Sequence, residues 1–223
     1  MFFAPFIFIY VILFFLALAF LFGLVEVGII NYAFQRAGLP PHLAFGALLA
    51  SLIGSYVNIP ISRVDGGESH PAEMVNYFGV RYQVPMQAPD SSTVVAINLG
   101  GAIVPILISI YLLAHQPHMA LQAIAATALV AVVVNRFARP IRGLGIATPM
   151  LLPPIIAALA AYLLAGEQPG TVAYVAGTIG TLIGADIANL GHLKDLGAPV
   201  ASIGGAGTFD GIFLTGIVAV LLS

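Results

Sequence analysis

Continuous apolar sequence is the strongest constraint on this chain. Runs near residues 5–24, 43–61, 94–114, 119–135, 149–165, 171–190 and 204–222 are each long enough, or nearly so, to cross about 30 Å of hydrocarbon as a helix. A soluble domain cannot hide so much apolar surface: 60% of the residues are hydrophobic, 7% are charged, and the mean hydropathy is +1.05. A membrane β-barrel would show short alternating segments, and lipid leaves the backbone no third choice. The expected fold is all-α: a polytopic membrane helix bundle of about seven transmembrane helices, one transmembrane domain over 1–223. A polar loop at 63–93 joins the second and third helices.

The opening "MFFAPFIFIYVILFFLALAFLFG" has no basic lead and is too long for a cleaved signal, so it reads as the first span. Residues 25–37, with Glu26, either extend that helix or lie along the interface. Of the seven basic residues, Arg63, Arg81, Arg136, Arg139, Arg142 and Lys194 fall in even-numbered loops and only Arg36 in an odd one. The bias puts the even loops in the cytoplasm, the N-terminus inside and the C-terminus outside, in a prokaryotic inner membrane. Anionic headgroups are the natural partners of "NRFARPIRG", so membrane lipids are expected partners. A net charge of −2 gives no reason to expect nucleic acid. Cysteine is absent, which removes disulfides and thiol chemistry.

Within 63–93 lie four of the nine acids. There "FGVRYQVPM" alternates Phe78, Val80, Tyr82, Val84 and Met86 with less apolar residues, the period of a strand, and a cytoplasmic β-hairpin is expected. Pro60 and Pro105 are expected to kink their helices, while Pro149, Pro153 and Pro154 suit the start of the fifth span. Gly177, Gly180 and Gly184 give the sixth span a small face for close helix approach.

Two carboxylates stand out. Asp186 lies near the end of the sixth span and Asp210 near the start of the seventh, at depths of roughly 6 and 9 Å from the same side at 1.5 Å per residue. Each costs roughly 2.5–3.5 kcal/mol in the apolar layer unless protonated, paired or facing water. Facing one another they would share a proton, leaving one to activate water and the other to polarise a carbonyl. Three readings stay open: capping and packing, a catalytic dyad, or an ion or proton pathway extended by Asn58 and Asn98.

"INLGGAIVPILIS", "RPIRGLGIATPMLLPP" and "GAPVASIGGAGTFDGIFLTGI" together resemble an uncharacterised family of prokaryotic multi-pass membrane proteins, a domain of unknown function. More distantly, "GAD" and "GAGTFDGIF" resemble the presenilin and signal-peptide-peptidase class of intramembrane aspartyl proteases. That class carries its aspartates on consecutive helices, the later one in Gly-x-Gly-Asp; here Asp210 stands three residues after Gly207. The resemblance implies Asp186 and Asp210 as catalytic residues, Gly205, Gly207 and Thr208 beside the substrate, and transmembrane peptides as substrates. The alternative is a transporter or channel that binds cations or protons at the same aspartates.

"GGESHPAE" brings Glu68, His70 and Glu73 together, but their spacing matches no metal motif, and His42, His115, His118 and His192 lie near interfaces without an HExxH pattern. Neither a metal nor a cofactor is expected. Segment 76–86 is the expected docking strand.

Overall fold

The computed structural model describes residues 4–64, 74–77, 80–83, 92–141, 145–195, 200–205 and 211–223. These are mostly helical. In chain order they form α1 (Ala4–Ala37), α2 (Pro41–Gly54), β1 (Asn58–Val64), β2 (Met74–Tyr77), β3 (Val80–Gln83), β4 (Thr93–Asn98), α3 (Val104–His115), α4 (Ala120–Phe137), β5 (Arg139–Ile141), β6 (Gly145–Ala147), α5 (Leu152–Ala165), α6 (Pro169–Thr181), β7 (Val200–Ile203) and α7 (Gly211–Leu222). A π-helical turn, Leu99–Ile103, leads into α3. A second, Leu182–Asp186, and a 3₁₀ segment, Ile187–Asp195, extend α6.

Seven α-helices are present among the described residues, but seven full spans are not. Three helical stretches are long and apolar enough to cross a membrane: Val11–Ala37, Pro117–Phe137 and Pro169–His192. The other four, Pro41–Gly54, Leu99–His115, Leu152–Ala165 and Gly211–Leu222, are shorter. At 1.5 Å per residue they reach only about 18–26 Å.

Each shortfall has a local cause. The expected span 43–61 stops at Gly54 because "VNIPIS" is β-branched around a proline, and Pro60 sits in an edge strand instead of kinking a helix. The expected span 94–114 begins as β4, since "TVVAI" suits a strand and Asn98 then caps the π turn. Pro105 falls directly after the π turn, so its missing N–H coincides with the change from π to α geometry within the stretch Leu99–His115. The expected span 204–222 starts late because Gly204 and Gly205 adopt φ +88° and +93°, a turn that no helix continues.

At the N-terminus the opposite holds. Residues 25–37 extend α1 in one unbroken helix. It ends at Gly38 (φ +101°), where Leu39 N donates to Phe34 O (2.9 Å) and Gly38 N to Gln35 O (3.0 Å), a Schellman-type stop.

The strands were not expected, apart from one hairpin. β1, β4 and β7 make a three-stranded sheet in the order β1-β4-β7. β1 runs antiparallel to β4, from Asn58 opposite Asn98 to Val64 opposite Thr93, with a bulge between Pro60 and Ser62. β7 runs parallel to β4, from Val94 opposite Val200 to Ile97 opposite Ile203. In the segment expected to hold a hairpin, β2 and β3 pair antiparallel, Met74 opposite Gln83; Val80 and Tyr82 of the expected strand fall in β3, and Phe78, Val84 and Met86 lie outside the described residues. β5 and β6 form another short pair.

The three-stranded sheet and the β5–β6 pair share one end of the bundle, where α2 and α4 finish and α3, α5 and α7 begin. Tight connections gather at the other end. There Thr171 Oγ1 donates to Ala37 O (2.6 Å) beside Gln116 Oε1 (3.0 Å), and Arg36 donates to Ser223 O (3.0 Å).

Helix α6 is the central strut and contacts α1, α3, α4, α5 and α7. Its small face does what its glycines imply. A Cβ on Gly177 would lie 3.3 Å from the Ala219 Cβ of α7, and one on Gly180 2.7 Å from the Val130 Cβ of α4. One on Gly184 would lie 2.4 Å from the Ala131 carbonyl oxygen, which cannot swing aside. Phe34 of α1, Tyr174 of α6 and Phe213 of α7 meet in the core, with ring centroids 5.9 and 6.0 Å from Phe34.

Gly184→Ala is expected to destabilise the protein by about 1–3 kcal/mol through forced separation of α4 and α6. Gly46→Ala, which meets nothing within 4 Å, is expected to be neutral or stabilising by up to about 1 kcal/mol. Thermal unfolding midpoints of the two variants in detergent check the contrast.

Candidate functional site at the sheet end

Asp186 closes the π turn that follows α6. A π turn leaves helix carbonyls without their regular donors. Two asparagines replace them: Asn189 Nδ2 donates to Gly184 O (3.1 Å) and Ala185 O (2.9 Å), and Asn135 Nδ2 of α4 also donates to Gly184 O (3.2 Å). The carboxylate is part-buried, and its Oδ2 accepts from Gly204 N at 2.8 Å. Gly204 can present that amide because its positive φ turns the backbone at the end of β7. A Cβ there would also come within 2.6 Å of the Ala102 Cβ.

Beside this bond lies a second polar cluster. Asn98, fully buried, accepts from Gly101 N through Oδ1 (2.7 Å) and donates through Nδ2 to Ser55 O (2.7 Å) and Asn58 Oδ1 (3.1 Å). Ser202 Oγ of β7 donates to the same Asn58 oxygen (2.6 Å). One side chain thus joins the end of α2, β1 and the π turn before α3, and Ser202 brings in β7. Here the asparagines act as connectors between elements.

Of the expected site residues, Gly205 follows Gly204 in the turn, its N–H donating to Ser202 O (3.3 Å). Gly207, Thr208 and Asp210 lie outside the described residues. So do Glu68, His70 and Glu73. Asp186 does not bond to Asn189 or Thr215, two partners open to it in a purely structural role: Asn189 serves the π-turn carbonyls, and Thr215 Oγ1 donates to Gly211 O.

Helices α6 and α7 are neighbours, as the expected pair requires. Gly177 faces Thr215, Gly216 and Ala219, an antiparallel crossing that places Gly211 near the level of Leu182. The cluster of Leu182, Ile212 and Ala102 agrees with that level. Asp186 lies four residues beyond Leu182.

Missing from the sequence reading were the Gly204 amide and the parallel β4–β7 pairing that aims it. The signal was available in "PVASIGG", a β-branched run closed by two glycines.

Asn98→Ala is expected to cost about 2–4 kcal/mol, because it leaves the buried Gly101 N–H and Ser55 carbonyl without partners. Asn98→Asp keeps the cap on Gly101 and is expected to fall between wild type and alanine at a pH where the new carboxyl is protonated. Unfolding midpoints measured across that pH range check the order.

The family model described as "Protein of unknown function (DUF1614)" matches residues 52–222. It covers the sheet, both polar clusters and α3 to α7, and leaves out α1 and most of α2. No curated protein matches the chain. No solved structure matches it either. The chain belongs to the DUF1614 family of proteins of unknown function.

Proposed function

We propose that this protein is an intramembrane aspartyl-protease-like enzyme of the prokaryotic inner membrane, with Asp186 and Asp210 as its catalytic pair. One observation carries the reading: the Asp186 carboxylate accepts from the Gly204 amide, which ties the end of α6 to the connection that holds Asp210. Two carboxylates brought to one level in a water-poor site divide the labour of hydrolysis. One takes a proton from water as general base, and the other, protonated, donates to the scissile carbonyl oxygen.

The surroundings favour a peptide substrate. A transmembrane helix hides its own amide bonds, so cleavage needs a place where an extended backbone finds hydrogen-bond partners. The β7 edge next to Asp186 offers such partners, and the β2–β3 pair in the 63–93 connection is the docking strand. Arg63, Arg136 and Arg139 stand at the sheet end and Arg36 at the opposite one, which supports a cytoplasmic sheet end, an N-terminus inside and a C-terminus outside. In this arrangement the short helices complete their crossing with the strands and π turns that continue them. Gly205, Gly207 and Thr208 line the substrate path, and the basic end rests on anionic lipid headgroups.

A second reading is a cation or proton pathway through the same carboxylates. The break of α6 into π and 3₁₀ turns favours it, because discontinuous helices commonly frame transport sites.

Purified protein incubated with tagged single-span peptides is expected to cleave them, and Asp186→Asn and Asp210→Asn are each expected to lower the rate by about 10²-fold or more. Asparagine still offers an oxygen to Gly204 N, so the fold is kept. Cleavage that persists in either variant, or none across a broad peptide panel, overturns the protease reading. A proteoliposome flux indifferent to both substitutions ends the transport reading.

A further inference from the structure

The most buried helix of the bundle carries a line of hydroxyl groups along one face. Thr171, Tyr174, Thr178 and Thr181 succeed one another at intervals of three, four and three residues on α6, so they stack on a single side. All four are buried. The π turn then matters: Asp186 is five residues past Thr181, and the wider turn brings position i+5 back to the same face. The line therefore ends on the carboxylate, about 22 Å from Thr171 at 1.5 Å per residue.

Neighbouring elements add to it. At the tight-turn end Thr171 meets Ala37 O and the Gln116 side chain. Halfway along, the Thr178 and Ser109 hydroxyls lie 3.2 Å apart. Both also reach helix carbonyls, Thr178 to Tyr174 O (2.8 Å) and Ser109 to Pro105 O (2.8 Å), which leaves lone pairs free to accept.

An independent observation points to what fills this seam. The Tyr174 hydroxyl and the Thr181 hydroxyl are buried and have no hydrogen-bond partner among the described residues. The same holds for Asn31 Oδ1, one turn before the Phe34 ring that rests on Tyr174. A buried polar group left unpaired costs about 1–3 kcal/mol. Internal water removes that cost where several polar partners surround it.

We propose that the α6 seam is a file of water molecules that carries protons between the tight-turn end of the bundle and Asp186. Each hydroxyl or water accepts a proton on one side and releases one on the other, so no charge need rest in the apolar core. The file rests on the proposed function only through its end point, Asp186. It gives that carboxylate proton access from the side opposite the sheet.

Hydroxyl-radical footprinting of the full chain in nanodiscs tests the water. Tyr174, Phe34 and Phe213 are buried equally, so a dry core would label all three slowly. Tyr174 is expected to label at least tenfold faster than either phenylalanine. Proton uptake into liposomes holding the protein and a pH dye is expected to exceed that of empty liposomes. It is expected to fall at least tenfold in Tyr174→Phe and in Thr178→Val, which keep the packing and remove one hydroxyl each. Tyr174 labelling at the phenylalanine rate, or uptake equal to that of empty liposomes or unchanged in both variants, overturns the file. Neither readout uses peptide cleavage, so a protein that labels and conducts but does not cleave loses the protease reading and keeps the seam.

Discussion

A backbone N–H or C=O buried among apolar groups without a partner costs free energy, and the sheet end of this bundle is organised around that cost. Four helices are shorter than a membrane-crossing length, and each helix end releases amides and carbonyls. The sheet takes up part of them: β4 is paired on both sides, by β1 and by β7. Side chains take up others. Asn98 closes the turn before α3, and Asn135 and Asn189 close the one after α6. Pro60 and its bulge blunt the β1 edge of the sheet, and the β7 edge is four residues long.

Helix α6 makes this compatible with a tight bundle. Its glycines let α4 and α7 approach until backbone nearly touches backbone, so dispersion between many close atoms holds the helices together. Alanines on α4 and α5 serve the same approach. Helix α1 is organised differently. From Phe8 to Ile29 it is largely exposed, and only its last turns, with Ala33, Phe34 and Ala37, are buried in the core. That exposed stretch belongs to a helix long and apolar enough to cross a membrane.

Long periodic stretches were legible because one signal governs them. An unbroken apolar run defines α1, α4 and α6, prolines mark the start of α5, and alternation marks β3. The small face of α6 and the adjacency of α6 with α7 were legible for the same reason. The three-stranded sheet was not. A short β-branched run such as "TVVAI" satisfies the hydropathy of a span and of a buried strand equally, and the pairing of β4 with β7 spans about a hundred residues of intervening chain. The site divides along the same line. Asp186 was found because a charge in apolar sequence is conspicuous, whereas its partner is a main-chain amide that no residue type advertises.

That partner explains why the acid and the irregular backbone occur together. In a regular helix every interior N–H is already spent on the carbonyl four residues back, so a carboxylate at depth finds no main-chain donor there. Donors become free only where the chain leaves helical geometry. Gly204 supplies one through a conformation that an L side chain would resist, at a point where Ala102 leaves no room for a Cβ. Conversely, a turned amide at that depth needs an acceptor that no helix around it can spare. Removing Asp186 would strand the amide, and straightening the turn would strand the acid. Each therefore fixes the other in place, and the same mutual dependence holds the end of α6 against the connection into α7, where the proposed chemistry lies.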